Sequence, residues 1–166
     1  MMHIKAIEDI SDLIALLRAF DTPLKMKAFE AIQEDWHTAS EIKKKFGDKG
    51  IEAIAFFEKN KLVESRWIPI EEKKKPEKTY KAFYSSFYIK FTCPVTQLSQ
   101  AAVAVCMEHK DFQKIEEKVF KLVGREGTHE GKIIEKLNIQ HSELRNLINR
   151  SLKLISKGMK IERAQK

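Results

Sequence analysis

The sequence has few of the features that enzymes and membrane proteins require. It contains two cysteines and six glycines in 166 residues. Two cysteines do not form a disulfide framework in a chain of this length, so a reducing, cytoplasmic setting is expected. No apolar run approaches the roughly 20 residues of a membrane helix. Because the sequence also lacks a Gly-rich phosphate loop, an HExxH motif and a G-x-S-x-G motif, we expect neither a membrane protein nor an enzyme.

A metal site is the main chemical hypothesis that the remaining cysteines and histidines allow. Cys106 and His109 are three residues apart on one predicted helix, and Cys93 lies near the start of that helix. Two or three ligands without a second pair do not make a closed zinc site. A buried cysteine that packs as a small apolar side chain is much more common. The sequence therefore predicts no metal, no cofactor and no catalytic residue.

The charge of the chain favours a polyanionic partner. The formal net charge is +7, and lysines or arginines that neutralise phosphates release counterions. Residues 1–109 hold 17 Lys and Arg against 16 Asp and Glu, a net charge of +1. Residues 110–166 hold 14 against 8, a net charge of +6. This count predicts that the basic surface lies in the last third, although a merely solvated basic surface is the alternative reading.

The first half of the chain has the local signals of a helix-turn-helix motif. Apolar residues spaced three and four apart predict helices over residues 7–20 and 23–35. Thr38, followed three residues later by Glu41, is a capping box that starts a short helix ending at Gly47. A further helix is expected over residues 48–60. Two short helices joined across a glycine turn are the helix-turn-helix unit.

A β-hairpin is expected directly after this motif. Residues 62–70 and 79–84 are rich in β-forming residues, and a charged, Pro-containing tip lies between them. With a continuation through residue 91, the hairpin forms a wing at about 62–91. The fold class predicted is therefore mainly α with a β-hairpin wing, a winged helix-turn-helix.

The second half repeats this order of elements in outline. A helix over 94–108 completes the first domain, which spans residues 1–109. Residues 110–166 form a C-terminal helical module, which we expect to be a second, abbreviated helix-turn-helix. Its predicted elements are helices over 112–123, 130–137 and 143–157, a turn at 138–140, and one short strand at 159–163.

Three segments of the first half resemble a known family. Thr38-Ala39-Ser40-Glu41-Ile42, Leu62-Val63-Glu64-Ser65 and Lys75-Pro76-Glu77-Lys78-Thr79-Tyr80 look like the winged-helix domains of ArsR-like transcriptional regulators, especially archaeal ones. The resemblance covers about residues 7–90. It implies a homodimeric DNA-binding regulator that places its third helix in the major groove and its wing beside the phosphate backbone.

Basic and amide side chains of both modules are the candidate DNA contacts. Those of the first module are Lys43, Lys44, Lys49, Lys73, Lys74, Lys75 and Lys78. Those of the second module are Arg145, Asn149, Arg150 and Lys153. Helix 48–60 is expected to expose Glu52, Ala53 and Ala55, which are poor base readers. A helix over 143–157 would align Arg145, Asn149 and Lys153 on one face, so we expect the second module to contribute substantially.

The partners expected are double-stranded DNA and a second copy of the chain, with no membrane involved. The dimer contact is expected on helix 7–20, helix 94–108 or both, because each has an apolar face longer than a small module needs. A small-molecule effector is left open and unidentified. The alternative function is a winged-helix protein–protein interaction module of the transcription machinery, which the weak reading chemistry of helix 48–60 favours.

Overall fold

The fold is taken from a computed structural model that describes residues 3–70 and 73–164, without the side chains of residues 70, 73 and 74. In chain order the elements are β1 (His3–Ile7), α1 (Ile10–Ala19), α2 (Pro23–Glu34), β2 (His37–Thr38), α3 (Ala39–Lys59), β3 (Val63–Ile70), β4 (Lys73–Ala82), β5 (Tyr84–Ile89), α4 (Val95–Cys106), α5 (His109–Leu122), β6 (Thr128–His129), α6 (Glu130–Leu137), α7 (His141–Arg150), β7 (Leu154–Lys157) and β8 (Lys160–Arg163).

The chain forms two compact units. The first comprises the residues up to 7 together with 19–90, and the second comprises 8–18 together with 91 onward. The sequence placed the division near residue 109, whereas in the structure α4 and almost all of α1 belong to the C-terminal unit. The second unit is therefore assembled from two segments that are distant in sequence.

Each unit contains a winged helix with the same strand arrangement. In the first unit, β4 lies between β2 and β3 in an antiparallel sheet. In the second unit, β8 lies between β6 and β7 in the same way. The winged helix-turn-helix fold and the second helix-turn-helix expected from the sequence are thus confirmed. The expected continuation of the first wing through residue 91 is wrong, because β5 leaves the hairpin and pairs in parallel with β1 in a separate sheet. The second module also has a complete small wing, where one short strand was expected.

The first helix-turn-helix forms through the local signals that predict it. Thr38 accepts from the backbone N–H of Glu41 at 3.1 Å, and Glu41 accepts from the backbone N–H of Thr38 at 2.7 Å, which completes the capping box. Gly47 has φ 70° and ψ −164°, so α3 is broken into helices over 39–46 and 48–59. Because a positive φ is costly for residues with a Cβ, glycine suits this turn.

Each unit has its own apolar core. In the first, Ile32, Ile54 and Phe57 are buried, and the ring of Phe20 lies 5.0 Å from that of Phe29 in an edge-to-face arrangement. In the second, buried side chains from α5, α6, α7, β7 and β8 pack together. They include Phe112, Val119, Ile133, Leu144, Leu147, Ile148, Leu154 and Ile161.

The predicted helix over residues 143–157 is wrong in its second half. It ends at Arg150, and residues 154–157 form β7. The fully buried Ser151 is the physical reason, since its hydroxyl donates to Glu116 at 2.6 Å and accepts from the backbone N–H groups of Lys153 and Leu154. These bonds turn the backbone out of the helix, and Lys153 is not on the face that carries Arg145.

Candidate nucleic-acid interface

The second helix of α3, residues 48–59, exposes a short face in the first unit. Lys49, Glu52 and Ala55 are exposed along it. Ala53 is only 1 % exposed and belongs to the core, so its expected exposure is wrong. One basic, one acidic and one apolar side chain are therefore available on this face.

Lysines of the preceding helix lie beside the turn. Lys43 and Lys44 are exposed, and the Lys43 ammonium lies 2.9 Å from the carboxylate of Asp48. Both members of this pair are strongly exposed, with side-chain exposures of 64 % and 83 %, so water competes effectively with the pair. The Lys43 ammonium can therefore leave Asp48 and bind a phosphate instead.

The wing is tied to α3 through Glu58. The Glu58 carboxylate accepts from the Lys78 ammonium at 2.5 Å and from the Ser65 hydroxyl at 2.7 Å. The structure therefore gives Lys78 a role in holding the hairpin to the helix.

The same carboxylate affects Tyr80 on the wing. Burial, with the nearby Glu58 charge, raises the pKa of Tyr80 above its usual value, so the phenol stays protonated around neutral pH.

An exposed tryptophan lies farther along the wing. Trp67 is 66 % exposed and pairs across the strands with Lys78, so both side chains lie on the same face of the hairpin. Lys75 is exposed, whereas the side chains of Lys73 and Lys74 lie outside the described residues. The sequence analysis did not select Trp67 as a site residue. The signal that could have identified it is a large aromatic residue on a predicted wing strand next to lysines.

Two candidate residues of the second unit serve its packing. Arg150 is 6 % exposed, donates to the Ala104 carbonyl at 2.8 Å and covers the ring of Phe112. The Asn149 amide donates to the Ser11 carbonyl at 2.8 Å. Neither side chain is therefore available to base edges in this arrangement.

The two other candidates of this unit remain on its surface. Lys153 lies 3.2 Å from the buried Glu116 carboxylate. Arg145 is exposed on α7. Of the four candidates, Arg145 is the one whose side chain forms no hydrogen bond or close ion pair within the described part of the chain, so it is the one that solvent or a partner reaches directly.

Neighbouring helices cover part of α7. α4 packs against it, and Gln100 bonds both Gln140 and Ser142, each at 2.7 Å. In a winged helix, α7 is the helix that would enter the major groove. Its contacts with α4 and with residue 11 use polar groups that base edges would otherwise engage.

The basic charge is also divided differently once the units are known. Residues 1–7 and 19–90 hold 16 Lys and Arg against 12 Asp and Glu, a net of +4. Residues 8–18 and 91–166 hold 15 against 12, a net of +3. The asymmetry of +1 against +6 came from a boundary drawn at residue 109, and the charge does not favour the second unit.

The geometry bears on two further expectations. Cys106 ends α4 and His109 begins α5, so they are not on one helix as expected. In residues 3–70 and 73–164, no group of three His, Cys, Asp or Glu side chains is arranged to hold a metal ion. Within the same residues, no helix combines the length and apolar character needed to cross a membrane.

Comparison with protein families assigns the chain. The profile described as ArsR transcriptional regulator matches residues 7–165. The chain belongs to the ArsR transcriptional regulator family. No curated protein matches the chain in sequence.

Membership in the ArsR family confirms the resemblance seen in the sequence and widens it. That resemblance covered residues 7–90, whereas the family match also includes the second winged helix. The chain is accordingly a transcriptional regulator, and the family assignment rests on both units.

Proposed function

We propose that this ArsR-family regulator binds double-stranded DNA as a homodimer and that its first winged helix makes the main DNA contacts. The observation that carries the proposal is the placement of Lys43, Lys44 and Lys49. These exposed lysines flank the Gly47 turn, where helix 48–59 begins. The N-terminal part of a recognition helix is the part that approaches base edges and phosphates in helix-turn-helix complexes.

The wing adds to this surface. Lys75 is exposed near the tip, and Trp67 is exposed on the same hairpin. Hairpin lysines bind phosphates without reading sequence, which positions the recognition helix. Lys78 contributes indirectly in this scheme, because its ion pair with Glu58 fixes the hairpin against α3.

The dimer contact that we propose is the exposed stripe of α4. Val95, Leu98, Ala102 and Cys106 are spaced three and four apart and are exposed, with Val95 at 78 % and Leu98 at 52 %. α4 has no charged residue along its length. By contrast, Ile14, Ala15 and Leu16 of α1 are buried, and Leu17, at 48 %, is the one exposed large apolar side chain of that helix. Exposed apolar patches of this kind mark association surfaces.

A protein partner for the first winged helix is the second candidate function. The observation in its favour is the chemistry of the exposed face of helix 48–59, where Glu52 would repel phosphates and Ala55 offers no hydrogen bond. Trp67 is a typical anchor residue of protein interfaces.

Binding to DNA over a salt series separates the two candidates. The full chain is titrated into fluorescent random-sequence 30-base-pair duplexes at several salt concentrations. DNA binding through several lysine–phosphate pairs requires log K to fall linearly with log salt, by about 0.9 for each phosphate neutralised. Absence of binding at about 50 mM salt would favour the protein partner.

A further inference from the structure

The second unit contains an apolar cavity of about 330 Å³ between α4, α5 and α7. Its apolar wall is formed by Val103, Met107, Phe112, Ile115 and Leu147. This volume lies at the lower end of the range for small-ligand pockets. The cavity is separate from the exposed stripe of α4, because the stripe uses positions 95, 98, 102 and 106, whereas α4 lines the cavity with positions 99, 100, 103 and 104.

The buried side chain of Asn146 opens into this cavity. Asn146 is 4 % exposed and is one of the residues that line the cavity wall. No hydrogen bond joins its amide to another described residue. In the described part of the chain, every side-chain nitrogen or oxygen that is closed off from solvent has a hydrogen-bond partner. The Asn146 amide has no partner, so it must be open to the cavity that it lines. A buried amide without a partner costs free energy, and a bound group that accepts from it would recover that cost.

The charge beside Asn146 indicates which group binds. Arg150 lies one helical turn farther along α7 and also lines the cavity. Its guanidinium places a fixed positive charge at the end of the cavity next to Asn146. Electrostatic interactions are stronger in such a buried, apolar site than in water. Glu143 lines the opposite end of the same helical stripe, and its carboxylate is bound to the backbone N–H of Gln140 at 2.7 Å. The anion-favouring end is therefore the end of Asn146 and Arg150.

We propose that this cavity binds a small apolar monocarboxylate, with the carboxylate on Asn146 and Arg150 and the hydrocarbon part against the apolar wall. Asn146 donates from its amide nitrogen to one carboxylate oxygen. The site goes beyond the proposed function, since occupancy of the cavity requires neither DNA nor a second chain. Its location between α4 and α7 links a ligand to the helix that carries the proposed dimer stripe.

Matched eight-carbon probes test the ligand class. The full chain is titrated with octanoate, 1-octanol and octylamine by isothermal titration calorimetry. We expect octanoate to saturate at one molecule per chain and to bind at least tenfold more tightly than the other two. No saturable octanoate binding, or equal affinity for 1-octanol or octylamine, would overturn the proposal.

Replacement of Asn146 distinguishes ligand recognition from a structural role. Asn146→Leu removes the unpartnered amide, so the ligand-free protein should melt at the same or a higher temperature while octanoate affinity falls tenfold or more. A lower melting temperature with unchanged affinity would contradict the proposal. If this variant does not fold, Val103→Trp, at a cavity position that is 62 % exposed, should block octanoate without altering the fold. Unchanged octanoate binding by folded Val103→Trp would place the ligand elsewhere.

Discussion

The side-chain amide of Asn149 donates to the backbone carbonyl of Ser11 at 2.8 Å, across 138 positions of sequence. Asn149→Ala leaves that carbonyl without this partner, so we expect a loss of about 1 kcal/mol in the free energy of unfolding. DNA affinity should change less than twofold. Urea unfolding and duplex titration measure the two effects, with Lys136→Ala, at an exposed position of α6, as the control. If the double variant Asn149→Ala, Arg145→Ala is folded but loses DNA affinity tenfold, α7 contacts the bases and the proposed main interface is wrong.

Removal of the lysines around the Gly47 turn tests the proposed interface. Replacing Lys43, Lys44 and Lys49 with Ala should weaken binding to all duplexes. It should also lower the salt slope by about one unit for each phosphate that is no longer neutralised. A matched control removes three exposed lysines of the second winged helix, Lys132, Lys136 and Lys160. Equal losses in both triple variants would mean that net charge, and not the first winged helix, determines binding.

The close approach of Gly50 to Phe46 predicts a specific packing requirement. A Cβ at position 50 would overlap the Cβ of Phe46, which is fixed to the backbone of the preceding helix. Gly50→Ala should therefore destabilise the protein by about 1–3 kcal/mol, as overpacking usually does. Gly124→Ala is the control, because a Cβ there meets its nearest atom at 3.8 Å. Urea unfolding followed by circular dichroism should show nearly the parent's free energy of unfolding for Gly124→Ala. The same result for Gly50→Ala would contradict the close packing of residue 50 against Phe46.

A charge in the exposed stripe of α4 should prevent dimerisation. Leu98→Glu places a carboxylate in the middle of the proposed apolar interface, where burial without a partner is costly. Sedimentation equilibrium at micromolar concentration should then give a monomer of 19.3 kDa, against a dimer for the parent chain. Met159→Glu alters an apolar side chain that is 62 % exposed on the β7–β8 turn and should stay dimeric. A dimeric Leu98→Glu would move the dimer interface away from α4.

The start of α1 should make stability depend on acid pH. The hydrogen bond from the Ser11 hydroxyl, aided by the Ser11 backbone N–H and the Arg145 charge and opposed by burial, lowers the pKa of Asp9 below its ordinary 3.8. A lowered folded pKa stabilises the protein above pH 3.8, and this contribution disappears as pH falls through the folded value. Asp9→Asn should thus be less stable than the parent at pH 7, with the gap closing below pH 3.8.

Unfolding in urea at pH 7, 5 and 3 measures this gap for Asp9→Asn. Asp12→Asn, at an exposed position in the first turn of α1, is the matched control for loss of one carboxylate. A gap that stays constant across the three pH values would show that the Asp9 carboxylate does not stabilise the fold through its hydrogen bonds.

Local signals were enough to predict the first helix-turn-helix. The capping residues Thr38 and Glu41 are three positions apart, and Gly47 ends a helix through its own backbone conformation. β1 could not be predicted in this way, because it pairs in parallel with β5, with His3 opposite Tyr84. A short strand whose partner lies about 80 residues away leaves no turn signal beside it.

The same limit explains the end of α7 and the candidate site. Leu144, Ile148, Leu152 and Ile155 have helical spacing, but the buried hydrogen bonds of Ser151 override that pattern. Arg150 looked like a base-reading residue because its type is right, and only the tertiary fold shows it against Phe112. Sequence reasoning therefore identified the module and the residue types, whereas burial decided which of them face solvent.

The membership of α1 in the second unit has a consequence for how the chain matures on the ribosome. Residues 8–18 are synthesised early, yet the helix that holds Ser11 in place, α7, emerges only after the entire first winged helix. All residues of the first unit have been synthesised once residue 90 is added, and domains generally fold as units during synthesis. The hydrogen bond from Asn149 to Ser11 spans 138 positions, so residues 8–18 are synthesised long before this partner exists. The second unit, unlike the first, can therefore be completed only when residues on both sides of the first winged helix have been synthesised.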